Sequence, residues 1–138
     1  MKVSALELTQ LFIEEAFNKG NLSALDKIIH PNYLYRSPGN EVKGIDELKA
    51  FISAFRHGFP DLSLKIDDQV FAEDKACTSF TLTGTHMEEF MGIPATNRQV
   101  NVHGIVMSRF QDNKILEDWE VLDELSLLQQ LGVVPDLS

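Results

Sequence analysis

Apolar residues recur at helical spacing in the first third of the chain and at strand spacing in most of the rest. From about Ala5 to Asn18, Leu8, Leu11, Phe12, Ala16 and Phe17 form one stripe. Ser4 is placed to cap the start of this helix, and Gly20 supplies the left-handed residue at which helices commonly stop. Asn21 can cap a second, shorter helix that turns Leu22, Leu25, Ile28 and Ile29 inward, with Pro31 soon after it. Tyr33 to Tyr35 reads as a short strand closed by a turn over Ser37 to Asn40. A third helix is predicted from about Ile45 to His57, with Leu48, Phe51, Ile52 and Phe55 on one face and Asp46 and Glu47 in the first turn, where the helix dipole favours acids.

Beyond Gly58 the period changes to two. Strands at about Leu62 to Ile66 and Val70 to Glu73 lead through a turn at Asp74 into an alternating run from Ala76 to Thr83, which continues into Gly84, Thr85 and His86. A loop carrying Phe90, Gly92, Ile93 and Pro94 follows. Two β-rich runs, Val100 to Phe110 and Ile115 to Leu122, flank a turn at Gln111 to Asn113. Asp123 can cap a last helix with Leu125, Leu127, Leu128 and Leu131 on its stripe, stopped by Gly132 and Pro135. Helices first and mostly antiparallel strands afterwards is the α+β arrangement. The pattern predicts one domain over residues 1–138: a curved sheet of four to six strands wrapped over three helices, a short helix at the C-terminal end, and a cavity between the layers.

Composition narrows the function classes. The formal charge of −9 argues against a surface built to neutralise nucleic-acid phosphates. No apolar run reaches the ~18 residues that span a bilayer, and Met1 to Gln10 lacks a signal-peptide layout, so a cytoplasmic, membrane-free protein is expected. The lone cysteine, Cys77, sits inside an alternating strand and reads as a small packed residue. No two histidines have metal-ligand spacing, so no metal is expected.

The candidate chemistry lies in the strands. His103 interrupts Val100, Val102, Ile105, Val106 and Met107; it is either a satisfied core histidine or a neutral imidazole that donates to a ligand carbonyl. Glu117 shares a face with Ile115 and Trp119. A carboxylate in an apolar pocket has its pKa raised and becomes a stronger base, although a salt bridge to Arg109 or Lys114 would occupy Glu117 equally well. Asp123 is a second candidate acid as well as a helix cap. His86 can reach a pocket mouth or anchor its loop. Phe12, Phe51, Phe55 and Trp119 can line a pocket or fill the core, and Phe90 with Met91 reads as a loop flap over the pocket. One geometric condition attaches to the His103 and Glu117 pairing. With a plain two-residue turn at Asp112 and Asn113, Glu117 would lie opposite Ser108 and face away from His103; one extra, bulged residue returns both to one face.

The order of local motifs is also familiar: Asn18-Lys19-Gly20-Asn21, His30-Pro31, Gly44-Ile45-Asp46, Phe59-Pro60-Asp61, Thr83-Gly84-Thr85-His86, Gly92 to Arg98, Arg109-Phe110, Lys114 to Trp119, Asp123 and Gln130-Leu131-Gly132. Over nearly the whole chain this resembles the SnoaL-like polyketide cyclases, within the broader fold similar to nuclear transport factor 2. The resemblance implies a cone-shaped α+β barrel, a homodimer or tetramer, and a hydrophobic pocket for a small carbonyl compound. It also implies ring closure by intramolecular aldol condensation, with an acidic residue as general acid/base and no cofactor. Carried over, the histidine that holds carbonyl oxygens is His103. The acid falls within Lys114 to Trp119, where Glu117 matches best, although the characterised cyclases have aspartate there. His86, Arg109 and the aromatic side chains above are the expected substrate contacts. Related isomerases and epoxide hydrolases use acids near Ser37 and Val106, or an arginine between two acids, and those patterns are missing.

Two readings stay open at this point, with a hydrolase or isomerase acting in the same pocket as a variant of the first. Buried carboxylate and histidine converging in an open cavity would mark an enzyme. A Glu117–Arg109 ion pair or a collapsed cavity would mark a ligand-binding or dimerisation domain.

Overall fold

The computed structural model describes residues 4–135. The first helix, α1 (Ala5–Leu11), is capped by the Ser4 hydroxyl, which accepts from the Glu7 amide at 3.1 Å. The expected stripe continues to Asn18, but as a π-helical segment over Phe12–Asn18 whose wider turn ends in a Lys19 amide bond to the Glu14 carbonyl. Such segments are rare in regular helices and common at functional sites; here Phe12, Ile13 and Phe17 reach the interior cavity. Gly20 is left-handed as expected, with φ of 73°. Arg56 gathers the last helical carbonyls, donating to those of Phe17 and Asn18.

The second helix is shorter than its apolar pattern predicts: one 3-10 turn at Leu22–Ala24 and a single α-turn, α2 (Leu25–Ile28). Asn21 does not cap it and instead accepts from the Ser23 hydroxyl. Ile29 leaves the helix because the chain already pairs there as strand β1 (Ile29–Ser37), so Pro31 lies within a strand. A strand absent from the sequence reading, β2 (Asn40–Lys43), pairs with β1 across the Pro38-Gly39 turn. α3 (Gly44–Gly58) matches its predicted helix within a residue at each end.

Four longer strands complete the fold: β3 (Ser63–Ala72), β4 (Lys75–Thr85), β5 (Gln99–Gln111) and β6 (Lys114–Leu122), followed by α4 (Glu124–Gln130). The two strands expected over residues 62–73 are one, kinked by an extra residue at Asp67. All six strands form one curved open sheet in the order β2-β1-β6-β5-β4-β3, antiparallel throughout except where β1 runs parallel to β6. The α+β class is therefore as the pattern predicts. Among the described residues no helix is long and apolar enough to cross a membrane.

The concave face packs on the helices through two apolar clusters. Leu8, Ala16, Leu25, Ile29, Leu48 and Ile52 lie on one side. Phe59, Leu62, Phe80, Leu82, Val102 and Leu131 lie on the other. Gly104 makes the second possible, because a Cβ there would come within 2.5 Å of the Phe80 ring. Between the clusters the layers do not close, and a cavity remains.

Candidate active site

Which side chains face the cavity is decided by one residue. The β5–β6 turn is the plain two-residue kind, with Asp112 and Asn113 both left-handed and Gln111 opposite Lys114. The pairing then slips by one residue: Phe110 lies opposite Ile115 but Arg109 opposite Glu117, leaving Leu116 as the bulge. A single extra residue exchanges the two faces of everything after it. The condition set on the sequence is thus met, in the strand rather than in the turn, and Glu117 and His103 do share a face. It is the convex face.

Asp118 and Glu120 consequently point into the concave cavity, alongside Ser108 and Val106 of β5 and Tyr33 and Tyr35 of β1. The cavity is narrow, about 60 Å³, and the empty space reaches about 710 Å³ only when the solvent-open mouth is counted with it. Its remaining walls are apolar, including Phe12, Phe17, Phe51, Phe55, Phe80 and Leu122. Asp118 is 5% exposed and accepts two hydroxyl bonds, from Tyr33 and from Ser108, both at 2.6 Å. Half-buried Glu120 accepts from the Tyr35 hydroxyl.

Burial acts on all four ionisable groups. Desolvation raises the Asp118 pKa, opposed by the bonds from Ser108 and Tyr33, which favour the ionised form. Glu120 is pushed up to about 7, first by desolvation and then by the charges of Asp118 and Glu124, with the Tyr35 bond pulling the other way. Both tyrosines are raised by burial and by the carboxylates facing them, so they stay protonated donors. The result is two carboxyl groups on successive inward positions of one strand, each held by a phenol of the neighbouring strand, in an oily enclosure. One takes up a proton near neutral pH. Such a pair can remove a proton from one carbon and return one to an oxygen.

The residues expected at the site divide by face. Phe12, Phe51 and Phe55 line the cavity. Glu117 does not; it binds Arg109 and lies 3.7 Å from Arg36 on the convex face. His103 is exposed there too, with Nδ1 3.1 Å from the Thr81 hydroxyl, which in turn donates to Asp67. Six residue positions along the sheet separate the levels of Glu117 and His103, roughly 20 Å at ~3.4 Å per residue. They cannot hold one small molecule between them. Trp119 and Arg109 share the convex face. Asp123 caps α4, accepting from the Ser126 amide at 3.1 Å, and lies outside the cavity.

His86 is fully buried but anchors its loop: Nδ1 accepts from the Thr96 amide and lies 3.0 Å from the Thr96 hydroxyl, while the ring stacks on Phe59. Phe90 is buried between Phe55 and Phe59, behind the cavity wall, and only Met91 projects outward. Among the described residues, no three His, Cys, Asp or Glu side chains cluster as metal ligands would.

Tyr33, Tyr35, Ser108, Asp118 and Glu120 were not singled out from the sequence. A signal existed. Two tyrosines two apart in one strand bury two phenols on one face, and buried phenols need acceptors; Asp118 and Glu120, also two apart, are the matching set.

The chain and its fold have known counterparts. The profile of the SnoaL-like polyketide cyclase family matches residues 7–131, and the chain belongs to that family. It is 26% identical over 125 residues to the aklanonic acid methyl ester cyclase DnrD of Streptomyces peucetius, covering 86% of this chain and 84% of that protein. Among solved structures, TsrD from Streptomyces laurentii is 32% identical with a TM-score of 0.86, covering 96% of this chain and all of that one (100%). AclR, a proposed hydroxylase from Streptomyces galilaeus, is 34% identical with a TM-score of 0.82, covering 98% and 87%.

Proposed function

We propose that the protein is a cofactor-independent cyclase that closes a ring in a hydrophobic, carbonyl-bearing small molecule, with Asp118 as base and Glu120 as acid. The observation that carries this is the pair of inward carboxyls, each bound by a buried tyrosine, in an otherwise apolar cavity. Asp118, with two hydroxyl donors stabilising its anion, takes the proton from carbon next to a carbonyl. The resulting enolate carbon attacks a second carbonyl carbon and forms the new C–C bond. The oxygen that gathers charge takes a proton from Glu120, whose pKa near 7 keeps it partly protonated at neutral pH. Tyr33 and Tyr35 remain protonated and hold both carboxyls in place; the proton gained by Asp118 and lost by Glu120 is exchanged with solvent before the next turn. Asp118 also falls in the Lys114 to Trp119 segment where the resemblance places an aspartate.

Two observations favour the alternative, a ligand-binding domain: Glu117 does pair with Arg109, and among the described residues no histidine lines the cavity. The experiment that separates the readings is incubation with aklanonic acid methyl ester and a panel of aromatic polyketide esters bearing two ketones, followed by mass spectrometry and NMR. The enzyme reading expects at least one compound to be converted to a ring-closed isomer of unchanged mass by the wild type and not by Asp118→Asn. Saturable binding of several compounds with no conversion would make it a binding domain.

A further inference from the structure

The cavity has a second polar wall, across the sheet from the carboxyls. Gln69 of β3 reaches inward between two buried threonines, Thr9 of α1 and Thr78 of β4, and its Nε2 donates to both hydroxyls, at 3.1 and 2.8 Å. Thr9 is one of the residues that line the cavity. The Thr9 hydroxyl spends its own proton on the Ala5 carbonyl, 2.9 Å away and one turn back in the helix. It can therefore only accept from Gln69, which fixes the amide with its NH2 group toward the threonines. The amide oxygen, Oε1, is left buried and without a hydrogen-bond partner. It shares a carbon with the nitrogen bound to Thr9, so it lies next to the cavity wall. Buried polar atoms are nearly always paired, and an unpaired acceptor beside a cavity calls for a donor.

Sheet register relates this oxygen to the carboxyls. Gln69 lies opposite Thr78, Thr78 opposite Val106 and Val106 opposite Glu120, so Gln69 and Glu120 stand at one level of the sheet, three strands apart. That is roughly 14 Å of backbone at ~4.8 Å per strand, shortened by the side chains that reach in from both ends. Phe80 and Val106 of the intervening strands offer only apolar surface to the cavity. We propose that Gln69 selects a hydroxylated ligand: a ring compound whose carbonyl meets Glu120 at one end and whose hydroxyl donates to Gln69 Oε1, beside Thr9, at the other. One unpaired acceptor matches one O–H. An ammonium would bring further donors with no acceptor to meet them, and a carboxylate would bring only acceptors into a cavity that already holds two carboxyls. Gln69 meets the ligand away from the reacting atoms, so it governs affinity and the choice of substrate. The proposal rests on the cavity being the ligand site of the function proposed above, and it does not depend on ring closure.

The test compares two ketones that differ by that one hydroxyl, phenylacetone and para-hydroxyphenylacetone, titrated by calorimetry into wild type and Gln69→Leu. Neither ketone can close a ring, so binding is read apart from turnover. Wild type should bind the hydroxylated ketone at least about tenfold more tightly, and Gln69→Leu should bind the two within about twofold of each other, because the acceptor is gone while the volume is kept. Equal affinities in wild type, as follow if water serves the oxygen in both complexes, would overturn the proposal. So would a preference that survives in Gln69→Leu. Should that variant fail to fold, Gln69→Met, which also lacks the acceptor oxygen, takes its place with the same expected loss. If neither ketone binds wild type, the cavity is not the ligand site and the function proposed above falls with this proposal; if both bind alike, only this proposal falls.

Discussion

The two faces of β5 and β6 carry the same kinds of residue and put them to different use. On the convex face Glu117 sits between two arginines in contact with water, where an ion pair contributes little. On the concave face, one residue further along, Asp118 is removed from water and answered only by hydroxyls. A carboxylate against guanidinium is neutralised and inert as a base; a carboxylate against neutral donors in an apolar cavity keeps its affinity for protons. The difference between the two is produced by backbone register at Leu116 and not by residue type.

The largest test of that statement is to delete Leu116. Residues 117 to 122 would then exchange faces, burying Glu117 beneath the helices and exposing Leu122, and the protein should lose its cooperative thermal transition; a native-like melt would show that the bulge does not set the faces. Next comes Asp118→Asn, which should lower turnover by about 10²–10⁴-fold, the usual worth of a general base, while ligand binding measured by calorimetry stays within a few-fold. Glu120→Gln should reshape the pH dependence of stability. Because the folded Glu120 holds its proton up to about pH 7 while an unfolded glutamate releases it near its ordinary value of 4.5, the folded state binds the extra proton between those values. Stability from this group is full at low pH and is lost as pH rises to about 7. Urea titrations from pH 4 to pH 8 should therefore show a decline in the wild type that is smaller in Glu120→Gln. The smallest effect belongs to Glu117→Gln, a change of about 1 kcal/mol or less in folding stability and turnover within about twofold of wild type, checked by the same melts and assays.

Much of the fold was legible in the chain. Helical spacing around Leu48 and Ile52 and the Asp46 and Glu47 pair located α3, because its burial, capping and dipole preferences agree. The second helix was not legible: Leu22, Leu25, Ile28 and Ile29 are apolar at helical spacing, but Ile29 is claimed by pairing with Ile115 of β6, a contact 86 positions away in the chain. β2 was hidden because Asn40 to Lys43 has no alternating apolar run and exists by pairing with β1. The site was legible in its address but not in its members. Segment Lys114 to Trp119 does carry the acid proposed here, yet which of Glu117 and Asp118 turns inward depends on a bulge that leaves no mark in residue type. Residue spacing alone shows that a bulge is needed to set His103 and Glu117 side by side. That this face is the outer one is hidden, since β5 offers apolar residues to both faces: Val102 and Val106 inward, Ile105 and Met107 outward.

The most direct measurement of the central claim follows proton abstraction alone. A ketone ligand that fits the cavity but cannot close a ring is incubated in D2O, and deuterium entry next to its carbonyl is read by NMR for wild type, Asp118→Asn and Glu117→Gln. Exchange catalysed by wild type and Glu117→Gln but lost in Asp118→Asn is the predicted result. Exchange that survives in Asp118→Asn and disappears in Glu117→Gln would place the base on the convex face and contradict the account.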